Sequence, residues 1–297
     1  MERETLLAML IMLLGGLALQ LLAAWPLGRA HAPSAPEHER RCWLTLWYPM
    51  APMLVVVAWL CGWALVEPDP VRDPLDPAVV VLLWLPFGLL FGRAAARAGW
   101  SLLRRPRECG VSTVGLLQPQ TVFSPFLAKQ LEDGVISAAL AHERAHALHR
   151  DPLRIWLAQL VTDLQWPWPA AQRRLGAWLE ALELARDQEA RACGIDGAEL
   201  AAAVLASVRF LKSIPPEERA ALSGTQVAHA RLIGDSRTLK ERVLRLLAPV
   251  PAGVDGDSDS HLGGFALIFG GVLAAALVLG MAYGERITHL LLGLTIW

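Results

Sequence analysis

The sequence predicts a mainly α-helical membrane protein. Four transmembrane helices, three before and one after, would flank an α-rich domain with a zinc-binding motif and a small β-hairpin or sheet. Three observations predict this. The 297 residues are 54% hydrophobic with a mean hydropathy of +0.39, more apolar than an ordinary soluble chain. The apolar residues gather in runs near 6–25, 43–66, 78–93 and 265–283. Between the third and fourth runs, His142-Glu143-Arg144-Ala145-His146 sits inside a helical pattern. The net charge of −1 supplies no basic field, so direct nucleic-acid binding is not expected. Cys42, Cys61, Cys109 and Cys193 form no CxxC pair, which argues against a disulfide framework or a cysteine zinc site.

Taken in order, residues 6–25 are long enough to cross a bilayer core of ~30 Å. They follow an acidic start rather than a basic one, which favours a retained span over a cleaved signal peptide. The second run, 43–66, opens with Trp43, Trp47 and Tyr48, read as interfacial aromatics. The segment from Glu67 to Pro77 is acidic and proline-rich, and the third run ends at Arg93. Arginines after the first and third runs place those segments in the cytoplasm by the positive-inside rule. The N-terminus and C-terminus then lie outside a bacterial cytoplasmic (inner) membrane, with the lipid bilayer itself as a partner. The domains expected are 1–98 (membrane), 99–262 (cytoplasmic), 263–284 (fourth span) and 285–297 (interfacial tail).

Within 99–262, Val111 to Pro125 mixes β-branched residues with Gly and Pro, the pattern of a short hairpin or two edge strands. A helix from Asp133, its expected N-cap, carries the HExxH residues and ends before Asp151-Pro152. The next helix, Leu153 to about Gln165, is apolar nearly all round and is either deeply buried or laid along a membrane surface. Further helices are read at 170–192, stopped by Cys193-Gly194, from the Asp196 cap to about Leu211, and from Ser236 to Leu247. Asp255-Gly256-Asp257-Ser258-Asp259 starts like a calcium loop but lacks the later Gly and Glu, and is read as a solvated linker.

His142 and His146 are four residues apart, so both rings leave one helix face ~6 Å apart along the axis. Two neutral imidazoles at that spacing can hold Zn2+ and leave room for a third ligand and a water. Glu143 can take a proton from a water whose pKa the metal lowers. Glu183 and Asp187 form an ExxxD pair on one face of the 170–192 helix. Glu183 is the candidate third ligand, with Glu180 as its rival. Asp187 can accept from the far ring N–H of a ligand histidine. His149 shares the histidine face but lies a turn too far along. With no tyrosine near the motif, Arg242, His229 and Arg231 are the candidates for stabilising an oxyanion. Val114, Gly115 and Leu116 are the candidate substrate-binding residues, since an extended peptide can add to a strand edge.

Gly115-Leu116-Leu117-Gln118-Pro119, the HExxH run continuing to His149-Arg150-Asp151-Pro152, Trp166-Pro167-Trp168-Pro169 and Glu183-Leu184-Ala185-Arg186-Asp187 come in a telling order. In that order they resemble the BlaR/MecR-type antirepressor membrane metallopeptidases, which are gluzincins. The resemblance implies an integral membrane zinc endopeptidase in signal transduction, with His142, His146 and Glu183 as ligands. Glu143 would be the catalytic base and Asp187 the support behind a ligand histidine. It also implies a cytoplasmic protein substrate, such as a winged-helix repressor; a homodimer is left open. Arg186 stands where the family has a cysteine, a change expected to cost the metal nothing. The sequence ends at Trp297 without the family's penicillin-binding sensor, so antibiotic sensing is not carried over. The alternatives are a quality-control or prenyl-protein-type gluzincin peptidase and a non-catalytic zinc-containing membrane transducer.

Overall fold

A computed structural model describes residues 34–66, 77–103, 111–123, 129, 131–166, 168–213, 236–249, 270–283 and 286. They form helices α1 (Ala35–Trp47), α2 (Ala51–Val66), α3 (Pro77–Leu103), α4 (Asp133–Leu148), α5 (Asp151–Leu164), α6 (Pro169–Ala192), α7 (Gly197–Ser213) and α8 (Ser236–Leu247). A 3-10 turn, Tyr48–Met50, separates α1 from α2. Strands β1 (Val111–Val114) and β2 (Gln120–Phe123) pair antiparallel, Val111 opposite Phe123 and Val114 opposite Gln120. The turn between them begins at Gly115, whose φ of +96° disfavours any residue with a Cβ.

The four-span membrane architecture does not hold. Among the described residues, no helix is long and apolar enough to cross a membrane. The run 43–66 is not one helix, because Pro49 lies in the 3-10 turn and α2 has only 16 residues. At ~1.5 Å per residue that is about 24 Å, short of a ~30 Å bilayer core. The apolar part of α3, residues 77–92, is equally short. Beyond it, Arg93 and Arg97 both turn to Asp163, at 3.5 and 2.9 Å. The multi-pass inner-membrane location inferred from these runs is withdrawn with them. Trp43 is not an interfacial aromatic either: its ring packs 4.9 Å from that of Trp178. The runs 6–25 and 265–269, the 67–76 loop, the 250–264 linker, His229, Arg231 and the 287–297 tail lie outside the described residues.

The chain forms two compact units, Met1–Arg29 with Leu44–Gly92 and Gly256–Trp297, and Ala30–Trp43 with Arg93–Asp255. In the first, α2 meets the helical residues 270–283 backbone to backbone. A Cβ on Gly62 would strike the Leu277 carbonyl, and one on Gly280 that of Trp59. The second unit is built around α4, which packs against α5, α6, α7 and both strands. Small side chains make that possible: Ala138, Ala139 and Ala145 are buried and let the neighbours approach. Ala138, Ala190, Leu200, Ala201, Val204 and Leu246 join α4, α6, α7 and α8 in one apolar cluster. Val111, Ala139 and Ala203 seat the hairpin on α4.

Helix ends follow local chemistry. The N-cap of α4 is Glu132, one residue before the expected Asp133. α5 begins at Asp151 with Pro152 in its first turn, where a missing N–H leaves nothing unsatisfied. Ile155, Ala158 and Val161 of α5 are buried, so its apolar surface serves the core. α6 ends at Ala192, with Cys193 as its C-cap followed by Gly194 at φ +89°.

Candidate metal centre

His142 and His146 leave the inner face of α4, and Glu183 comes from the middle of α6 across from them. All three are buried, and they form a group able to hold a metal ion. His142 Nε2 is 3.1 Å from His146 Nε2 and 3.4 Å from Glu183 Oε2, and His146 Nε2 is 3.6 Å from Glu183 Oε1. Donors ~2.0–2.1 Å from a tetrahedral ion stand ~3.3–3.4 Å from one another. The triangle therefore has the size of one face of such a tetrahedron, and the residues fit the ion. The rival Glu180 is not in this group.

Each histidine is held from behind by a carboxylate and a guanidinium. His142 Nδ1 lies 3.0 Å from Asp187 Oδ1. Asp187 accepts two hydrogen bonds from Arg242 of α8, from Nε at 2.6 Å and Nη2 at 2.7 Å. Arg242 Nη1 lies 3.0 Å from Glu183 Oε2, so one guanidinium braces both carboxylates of the ExxxD pair. These contacts commit Arg242, the oxyanion candidate, to Asp187 behind His142 and to Glu183 of the triangle, where it is only 2% exposed.

On the other side, His146 Nδ1 donates to Asp151 Oδ2 at 2.8 Å. Asp151 is fully buried. It accepts from Arg186 Nε at 2.6 Å and Nη2 at 3.1 Å, and from Arg154 Nη1 at 3.0 Å. Arg186 was expected to leave the metal site unaffected, yet it clamps Asp151, the acceptor of His146. Asp151 reaches this position because Arg150 adopts a left-handed conformation, φ 52° and ψ 42°, that turns α5 back beneath α4. His149, one turn beyond His146, instead bonds Glu189 at 2.9 Å.

Electrostatics agree with the geometry. Burial opposes charge on His142, but Asp187 and Glu183 outweigh it and push its pKa up to about 10. A pocket that favours a proton this strongly favours other cations, and metal binding there must displace that proton. Burial also works against the Asp187 carboxylate, but Arg242 and His142 hold it down at about 2. Asp151 is likewise held below the usual carboxylate range, by His146 and Arg186 against burial. Both supporting carboxylates thus stay charged, as acceptors for the ring N–H groups must.

Glu143 follows His142 on α4 and is 2% exposed. The buried Thr113 of β1 reaches it: the hydroxyl lies 2.7 Å from Glu143 Oε2 and 2.9 Å from the Glu143 carbonyl oxygen. The hairpin therefore fixes the carboxylate beside the candidate metal ligands. Val114 ends β1, and Gly115 and Leu116 begin the turn that follows it. Thr113, Asp151 and Arg186 have supporting roles that sequence reasoning missed. Asp151, five residues after His146, carried the only legible hint. Comparison with protein-family models, curated proteins and solved structures gives no match to this chain.

Proposed function

We propose that this chain is a zinc endopeptidase of the antirepressor gluzincin kind that its motifs resemble, cleaving a protein such as a transcriptional repressor. The observation that carries the reading is the His142–His146–Glu183 triangle, at tetrahedral edge lengths, with Glu143 adjoining His142. A two-histidine, one-carboxylate set with a remaining open position is the ligand pattern of catalytic rather than structural zinc. When bound, Zn2+ supplies Lewis acidity that polarises a scissile carbonyl and makes water a stronger acid.

The chain's own residues do the rest. His142 and His146 turn their Nε2 atoms inward because Asp187 and Asp151 hold their Nδ1 sides. Glu143 accepts a proton from water and passes it to the leaving amine, a role that suits a carboxylate oriented by Thr113. An extended substrate segment lying along β1 near Val114, Gly115 and Leu116 would carry its backbone past that carboxylate. Asp187 and Arg242 keep Glu183 in place throughout.

Replacing Glu143 tests the reading. Glu143→Gln should keep zinc, measured by metal analysis of the purified protein, while His142→Ala should lose it. Comparing cellular protein fragments between wild type and Glu143→Gln should reveal products whose formation falls about 10²–10⁴-fold in the variant. A Glu143→Gln protein that holds zinc and leaves every fragment unchanged sinks the peptidase reading. One observation favours a second function, a zinc-holding transducer without catalysis: His146 is 0% and Glu143 2% exposed. Under that reading zinc removal lowers the melting temperature and the fragment pattern does not change.

A further inference from the structure

We propose that α1 governs how tightly the site holds its metal, with Glu39 and Trp43 acting through Arg154 and Asp151 on His146. The inference rests on the metal reading of the site, not on peptide hydrolysis. Glu39 is remote from His146 in sequence, yet a continuous chain of contacts links them. Glu39 Oε1 accepts from Arg154 Nη2 at 2.6 Å and from Trp178 Nε1 at 2.6 Å. The other prong of the same guanidinium donates to Asp151 Oδ1 at 3.0 Å. Asp151 Oδ2 then accepts from His146 Nδ1. The rings of Trp43 and Trp178 both approach the Arg154 guanidinium, with centroids 5.0 and 5.6 Å away. Ala35 N–H donates to Gln188 Oε1 of α6 at 3.0 Å and ties down the start of α1.

A helix that merely covered this surface could do so with apolar side chains. Instead α1 brings a carboxylate that is 7% exposed, with an aromatic ring, to a single guanidinium. The sign of the effect follows from charge. With Glu39 in place, Arg154 divides its positive charge between two carboxylates. Without it, Asp151 alone faces Arg154 as well as Arg186, and it accepts less strongly from His146. An imidazole whose N–H is less polarised is a weaker ligand and is less firmly aimed. Any event that lifts α1 therefore loosens the metal. Glu39, Trp43 and Arg154 are positioning residues in this account.

Zn2+ affinity of the full chain, measured by chelator competition, tests the inference together with the visible absorption of the Co2+-substituted protein. Removing the direct support with Asp151→Asn should weaken Zn2+ about 10–100-fold, and Glu39→Gln, two contacts further out, about threefold to tenfold. The Co2+ band should move in Glu39→Gln and return toward its wild-type position in Glu39→Asp, which keeps the charge. In the Asp151→Asn background, Glu39→Gln should have almost no further effect. Should Glu39→Gln fail to fold, Trp43→Leu probes the same contact without deleting a charge and should weaken Zn2+ in the same direction. Two results overturn the inference while leaving the metal site standing. One is a folded Glu39→Gln or Trp43→Leu protein with wild-type affinity and Co2+ band, even with a lower melting temperature; the other is an undiminished Glu39→Gln effect in the Asp151→Asn background. A wild-type chain that takes up neither Zn2+ nor Co2+ removes the site itself, and the inference with it.

Discussion

The two histidines of the centre are supported by the same chemistry built in two different ways. Behind His142, one guanidinium, Arg242, serves two carboxylates, Asp187 and Glu183. Behind His146, one carboxylate, Asp151, is served by two guanidiniums, Arg186 and Arg154, and each has a further anionic partner, Glu189 and Glu39. The first side sets two carboxylates against one guanidinium, and Glu183, one of the two, faces the candidate metal position, where a cation would offset it. The second also holds one more carboxylate than guanidiniums, but there Asp151, the carboxylate at the histidine, faces both cations, and the excess lies outward at Glu39 and Glu189. One side thus leaves its excess carboxylate at the candidate metal position, whereas the other carries its excess outward along a scaffold that extends as far as α1.

That asymmetry predicts unequal costs for removing similar residues. The largest effect is expected from Arg242→Met, which leaves Asp187 and Glu183 buried together with His142 as their remaining cationic neighbour. In the metal-free protein it should destabilise by about 3–5 kcal/mol in urea unfolding. Arg186→Met leaves Asp151 still paired with Arg154 and should cost only about 1–2 kcal/mol. Zn2+ should restore more stability to the Arg242 variant than to the Arg186 variant. Equal losses would show that the two sides are equivalent after all.

A smaller effect is expected on metal affinity. Asp187→Asn and Asp151→Asn should each weaken Zn2+ about 10–100-fold by chelator competition. Asp187→Asn should lie at the upper end, because one guanidinium faces Asp187 whereas two already offset the charge of Asp151. The reverse ranking would place the dominant electrostatic support behind His146. The smallest effect concerns the exposed turn that delivers Asp151. A non-glycine residue in the left-handed region costs roughly 1–2 kcal/mol. Glycine gives part of that back through greater freedom when unfolded, so Arg150→Gly should raise stability by about 0.5–1 kcal/mol. Zn2+ affinity should be unchanged, and a fall would mean that the Arg150 side chain itself serves the His146 side.

The difference between the two sides also explains what could be read in advance. His142, His146, Glu183 and Asp187 lie on two regular helices, and helical periodicity alone puts each pair on one face. Asp151 also follows closely on its histidine, but the left-handed turn at Arg150 interrupts the period, so spacing could not place it. Arg186 precedes Asp187 in sequence, yet points to the opposite histidine's support because adjacent helical residues diverge by about 100°. The apolar runs misled for a related reason. Hydropathy sums the residues from 43 to 66 but does not register Pro49 in a 3-10 turn, or Trp43 packed on Trp178.

The sequence by itself determined the helices that carry the candidate ligands, the hairpin and the pairing of HExxH with ExxxD, because these depend on spacing within single elements. Only the tertiary structure decided that Thr113 holds Glu143, that Arg242 braces Glu183, and that Glu39 reaches His146 through Arg154 and Asp151. Those contacts join residues far apart in the chain. They exist because the small alanine face of α4 brings a strand and several helices close enough for long polar side chains to meet.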